Sequence, residues 1–135
     1  MNRRSALKAG LGLAALASTS HVLASAYSPV DYTPEVLQAA LDSGEPVLLG
    51  FHASWCSTCR TQERQVSAIM DENAAYANVK IINVDWDQYG GSDLVKELKI
   101  VRRSTLVMFK GGEEVGRLIA QTDKGSIEEL FKAIA

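Results

Sequence analysis

The pentapeptide Trp55-Cys56-Ser57-Thr58-Cys59 holds the only two cysteines of the chain. With two residues between them at the start of a helix, both sulfurs fall on its first turn, within bonding reach of each other. A thiol there meets the positive end of the backbone dipole and unpaired N–H groups, which favour the thiolate and lower a free pKa of about 8.5. Cys56 is then the nucleophile and Cys59 its resolving partner in a reversible dithiol. Two other readings compete. A structural staple enclosing two residues removes little entropy from the unfolded chain. A zinc or copper site within one chain needs more donors, and beyond residue 26 the only histidine is His52. A metal shared between two chains stays open.

The dithiol needs a strand before it and a helix after it. Residues 47–53 are apolar almost throughout, as in a strand covered on both faces, and the segment after Cys59 places Val66, Ile69 and Met70 on one helical face. Upstream, Thr33 and Pro34 read as the cap and first position of a helix over 34–41. Downstream come a strand at 79–84, a loop from Asp85 through Gly90-Gly91, and a short helix at 92–99. Strands at 105–109 and 115–119 flank a turn at Lys110-Gly111-Gly112-Glu113, and a helix over 126–135 closes the chain. This order predicts an α/β domain, a central mixed sheet of four to five strands with helices on both faces.

The chain has 135 residues, 47% hydrophobic and 22% charged, which suits one domain plus a short appendage. At the N-terminus Arg3, Arg4 and Lys8 precede a Gly/Ala/Leu-rich run, and Ala24-Ser25-Ala26 has the form of a cleavage site. About a dozen uncharged residues lie between Lys8 and His21, against the roughly 20 of a spanning helix, so the segment reads as a removable leader and not an anchor. Asn2-Arg3-Arg4-Ser5-Ala6-Leu7-Lys8 resembles a twin-arginine signal, departing from it at Asn2 and Ala6. Cleavage after Ala26 leaves residues 27–135 more acidic than the net charge of −2 of the whole chain. Nucleic acid is an unsuitable partner, since the only adjacent basic pair left is Arg102-Arg103. An exported bacterial protein would work where disulfides form and are reduced.

Residues 30–135 resemble the thioredoxin superfamily. The resemblance is carried by residues 47–51 before Trp55-Cys56-Ser57-Thr58-Cys59, by Asn83-Val84-Asp85, and by residues 105–113 at the hairpin. It implies a thioredoxin-like fold and an exchange in which Cys56 attacks a client disulfide and Cys59 resolves the mixed disulfide. Trp55 would either cover the sulfurs or pack beside the loop.

Three departures stand out. Most members carry a cis-proline facing the dithiol, but here that place is taken by Ser104, and no proline follows Pro46. A non-proline cis bond costs about 2.5–4 kcal/mol, so a trans bond is expected. Ser104 could turn its hydroxyl toward Cys56, and Ser104→Pro should then alter exchange or metal uptake. Gly50 occupies the place of the buried aspartate that helps deprotonate the resolving cysteine, and Ile81 stands where its lysine partner would be. His52 and Glu63 are the alternative bases for Cys59. Finally, Ser57-Thr58 matches neither reducing nor strongly oxidising members, which leaves the direction of electron flow open.

The resulting expectation is a periplasmic thiol-disulfide oxidoreductase, reducing or isomerising rather than oxidising. It would act on client disulfides with a membrane redox partner, and with no organic cofactor, resident metal or permanent membrane anchor. The catalytic set is Cys56 and Cys59 with Trp55, Ser104 and His52. Arg102 and Arg103 would guide acidic partners or pair with surface carboxylates. The alternatives are a Cu(I)-handling, cluster-sharing or redox-sensing binding protein using the same dithiol, and an interaction module with a vestigial one.

Overall fold

The computed structural model describes residues 25–135, so the leader read at residues 1–26 lies outside the described residues except for Ser25 and Ala26. In chain order the elements are β1 (Val30–Asp31), α1 (Pro34–Asp42), β2 (Val47–His52), α2 (Ser57–Glu72), β3 (Lys80–Asp85), α3 (Trp86–Tyr89), α4 (Asp93–Glu97), β4 (Thr105–Lys110), β5 (Glu113–Ile119) and α5 (Lys124–Lys132). A 3-10 turn at Ala74–Tyr76 links α2 to β3. The five strands form one mixed sheet in the order β1-β3-β2-β4-β5. β1 and β2 run parallel to β3, while β4 runs antiparallel to β2 and β5.

β2 and β4 lie at the centre, and each buries its first five residues. Central strands covered on both sides need uninterrupted apolar runs. Side chains alternate across the sheet. Leu48, Leu106 and Met108 pack on Val66, Ile69 and Met70 of α2 and on Ile127 and Phe131 of α5. Val47, Leu49, Phe51, Val107 and Phe109 meet Leu37 of α1 and Val95 of α4 on the opposite face. Gly50 belongs to the α2 side, which aims its missing side chain at the helix that carries the cysteines.

Several boundaries differ from the sequence reading. Residues 86–89, read as loop, form the helical turn α3, because the Asp85 carboxylate accepts the Asp87 N–H at 3.0 Å and caps it. Four residues are too few to show an apolar period. β1 is shorter still and was not anticipated. β5 begins at Glu113 because Gly111 and Gly112 take φ of +60° and +80°, closing a tight two-residue hairpin. α5 begins at Lys124, where the Asp123 carboxylate accepts the Ser126 N–H at 2.9 Å. Among the described residues no helix is long and apolar enough to cross a membrane.

Candidate active site

β2 delivers the chain to Ala53, and the Cys56 N–H returns to the Ala53 carbonyl at 3.1 Å, turning it into α2. Cys56 is the N-cap of that helix, and its Sγ accepts the Cys59 N–H at 3.2 Å. A sulfur in this position takes up one of the donors that the first helical turn leaves unpaired, an interaction that strengthens when the sulfur is charged. Cys56 and Cys59 form a disulfide with Cα atoms 5.3 Å apart. Cys56 is 3% exposed and Cys59 2%, so exposure does not rank them and the cap geometry does.

Ser104, immediately before β4, is fully buried, and its Oγ lies 3.2 Å from Cys56 Sγ and 3.1 Å from Cys59 Sγ. Its peptide bond is trans, as are all others among the described residues, and its φ is +62°. That left-handed conformation costs a non-glycine residue roughly 1–2 kcal/mol. Three hydrogen bonds hold it. The Ser104 N–H donates to the Phe51 carbonyl at 2.7 Å, and the Ser104 carbonyl accepts from the Ala120 N–H and from Gln62 Nε2, both at 2.8 Å. Proline can take neither this φ nor the bond to Phe51, so Ser104→Pro would rebuild the loop instead of testing the hydroxyl. Ser104→Gly is the cleaner probe. It should hold or raise the melting temperature by relieving the backbone, while removing an O–H donor worth about 1.5–3 kcal/mol to a charged acceptor. The expected result is a Cys56 pKa raised by about one unit or more, read from the pH dependence of alkylation.

Trp55 is 55% exposed, and its indole Nε1 donates to both oxygens of Asp87 at 3.1 and 3.0 Å. The Arg103 guanidinium stacks over the same ring, 4.5 Å from its centroid. Among the described residues neither Arg102 nor Arg103 pairs with a carboxylate. Arg103 finds an aromatic face, and Arg102 Nε donates to the Arg103 carbonyl at 3.1 Å. Asp87 lies in the segment read as a loop, and only the fold brings it to an indole 32 residues away.

Behind Cys59 a cavity of about 20 Å³ opens between Gly50, Cys59, Gln62, Glu63 and His52, room for about one water molecule. His52 Nδ1 approaches Glu63 Oε1 to 3.0 Å, but off the line of a directed hydrogen bond, and that oxygen is buried without another partner. The Glu63 carboxylate is the main cause that raises the His52 pKa. Burial opposes it, and the Asp85 and Asp31 charges add to it. Neither His52 nor Glu63 hydrogen-bonds a sulfur directly. They share the cavity with Cys59. Because the folded pKa is raised, the stability His52 contributes is complete below its unfolded value near 6.5 and fades as pH rises through the folded value. His52→Ala should therefore flatten the pH dependence of the melting temperature around neutrality. An unchanged slope would remove the imidazole from this charge cluster.

Gln62 was absent from the sequence reading. It lies on the buried stripe Cys59, Gln62, Val66, Ile69, Met70 and is only 2% exposed. A polar residue at an apolar position of a helical period was the available signal. Among the described residues no group of three or more His, Cys, Asp or Glu side chains assembles as a metal site.

A mixed sheet ending in a helix-capping dithiol defines a thiol-disulfide oxidoreductase. Comparisons with known proteins agree. The Thioredoxin family model matches residues 28–133, and the chain belongs to that family. It is 33% identical over 101 residues to a Thioredoxin H-type of Fagopyrum esculentum, covering 75% of this chain and 79% of the relative. Thioredoxin Asp f 28 of Aspergillus fumigatus is 29% identical over 100 residues, 74% of this chain and 88% of that protein. Among solved structures, Trxlp from Edwardsiella tarda EIB202 superposes with a TM-score of 0.68 at 26% identity, covering 76% of this chain and 96% of its own.

Proposed function

We propose that this oxidoreductase works in the periplasm, reducing or isomerising client disulfides, with a membrane redox partner returning it to the dithiol state. Cys56 attacks as the thiolate. One client sulfur bonds to it and the other leaves as a thiolate. Cys59 then loses its proton and attacks Cys56 Sγ, releasing the second client sulfur and forming the Cys56–Cys59 bond. Two electrons have passed to the client, and two electrons with two protons from the partner reset the centre. Trp55, Ser104 and His52 serve this cycle at the rim, above the sulfurs and behind Cys59, respectively.

The observation that carries the direction is the pair of donors at Cys56. The Cys59 N–H and the Ser104 hydroxyl are both neutral, and no cationic side chain hydrogen-bonds either sulfur among the described residues. Strong oxidants stabilise the reduced form far more than neutral donors do. Equilibration of the purified protein with glutathione buffers should give a midpoint between about −270 and −180 mV. A midpoint near −120 mV, about that of the strongest periplasmic oxidants, would reverse the direction. Stoichiometric bound copper or iron with sluggish exchange would favour a binding protein instead. The periplasmic assignment rests on the leader and its paired arginines, and cell fractionation after substituting Arg3 and Arg4 by lysine tests it. Retention in the cytoplasm is the expected outcome.

A further inference from the structure

Gln62 is placed where the α2 stripe calls for an apolar side chain, and both of its N–H bonds are spent on backbone. Its Nε2 donates to the Ser104 carbonyl at 2.8 Å and to the Gln121 carbonyl at 3.0 Å. Ser104 leads into β4 and Gln121 follows β5, so one carboxamide ties the open end of that hairpin to the helix that begins at the dithiol. Gln62 is also one helical turn beyond Cys59, the sulfur that shares the Ser104 hydroxyl with Cys56.

The two peptide planes that flank a residue together fix the direction of its Cα–Cβ bond, and both planes at Ser104 are hydrogen-bonded. Ser104 holds a left-handed φ of +62° against its intrinsic preference, and such a conformation persists only when its surroundings over-determine it. Two of its three restraints come from β2 and the residue that follows β5, through Phe51 and Ala120. The third comes from Gln62 and is the only one that belongs to the redox helix. A side chain on α2 thus sets where the hydroxyl stands relative to sulfurs on the same helix.

We propose that Gln62 is a positioning residue for the redox centre, holding the Ser104 carbonyl so that the serine hydroxyl stays aimed at Cys56 and Cys59. The inference rests on the reading that this hydroxyl supports the Cys56 thiolate. Gln62 touches no reacting atom, and its influence on the thiolate passes through Ser104.

The test is a double-mutant cycle in the full chain with Gln62→Met, which keeps length and packing but cannot donate, and Ser104→Gly, which removes the hydroxyl. The readout is the pH profile of Cys56 alkylation in the reduced protein, with thermal melts to establish folding. Gln62→Met should lower the thiolate fraction near neutral pH severalfold, and Ser104→Gly should do the same. The double variant should be no worse than Ser104→Gly alone. Gln62→Asn, which keeps the carboxamide but retracts it by one methylene, gives the same comparison where the methionine variant does not fold. A folded Gln62 variant with an unchanged profile overturns the proposal and leaves the Ser104 reading standing. So does a loss of equal size with and without the Ser104 hydroxyl. If Ser104→Gly itself leaves the profile unmoved, the hydroxyl reading falls, and this inference falls with it.

Discussion

Cys56→Ser should abolish client disulfide reduction, whereas Cys59→Ser should allow the first exchange and then stop, leaving a client covalently attached through Cys56. The difference follows from the two positions on α2. Cys56 caps the helix and its Sγ receives the Cys59 N–H, while the Ser104 hydroxyl lies 3.2 and 3.1 Å from the two sulfurs and does not rank them, so the cap makes the Cys56 thiolate the one the fold stabilises. Cys59 is already inside the first turn, with its Sγ 3.9 Å from the Phe51 carbonyl, an acceptor that favours the protonated thiol. Its task is intramolecular. With the Cα atoms 5.3 Å apart, its effective concentration at the mixed disulfide far exceeds millimolar external thiol, so its loss should slow client release by at least about a hundredfold. Mass spectrometry of the intact adduct after mixing with a disulfide-containing client decides the order. An adduct on the Cys56→Ser protein and none on Cys59→Ser would exchange the two roles, an outcome that matters because the sulfurs are almost equally buried.

What the sequence disclosed about this centre was what depends on neighbours along the chain. The Cys-x-x-Cys spacing, the apolar run of β2 and the stripe of α2 are local patterns with local causes, and the alternation of elements follows from them. The contacts that complete the site have no local cause. Trp55 reaches Asp87 and Gln62 reaches Ser104 and Gln121 across separations that only the folded sheet closes, and the approach of Ser104 to Cys56 was legible through the family resemblance alone. Even then Gln62 left a trace, since a carboxamide on a buried helical stripe must find partners. The left-handed φ of Ser104 left none, because serine is not a residue that announces such a turn. α3 and β1 went unread for a simpler reason, being shorter than the periods by which helices and strands are recognised.

The departure at Gly50 raises a separate question, whether this fold still accepts a buried base behind Cys59. Gly50 pairs with Asn83 of β3 and Leu106 of β4 at the centre of the sheet. A Cβ built there would meet nothing closer than Asn83 Oδ1 at 3.4 Å and Leu106 Cδ2 at 3.5 Å, so a side chain can enter without moving backbone. Gly50→Asp would therefore extend its carboxylate into the cavity of about 20 Å³ shared by Cys59, Gln62 and Glu63. Burial raises a carboxyl pKa by up to about 3–5 units, and each unit is about 1.4 kcal/mol. The Glu63 charge works in the same direction, while His52 in its protonated form works against it. A destabilisation of about 2–4 kcal/mol at neutral pH is expected, large against the roughly 5–15 kcal/mol that holds a domain folded. Because the folded pKa lies above the unfolded value near 3.9, the penalty is absent below about pH 4 and grows as pH rises toward the folded pKa. The same raised carboxylate would be a competent acceptor for the Cys59 proton, and release of a client from the mixed disulfide should quicken by about a hundredfold, as for a well-placed general base. Melting curves from acid to neutral pH and single-turnover release rates measure the two effects together. A Gly50→Asp protein whose stability relative to the parent is the same at every pH would put the new carboxylate in water, and with it the cavity that is meant to receive it.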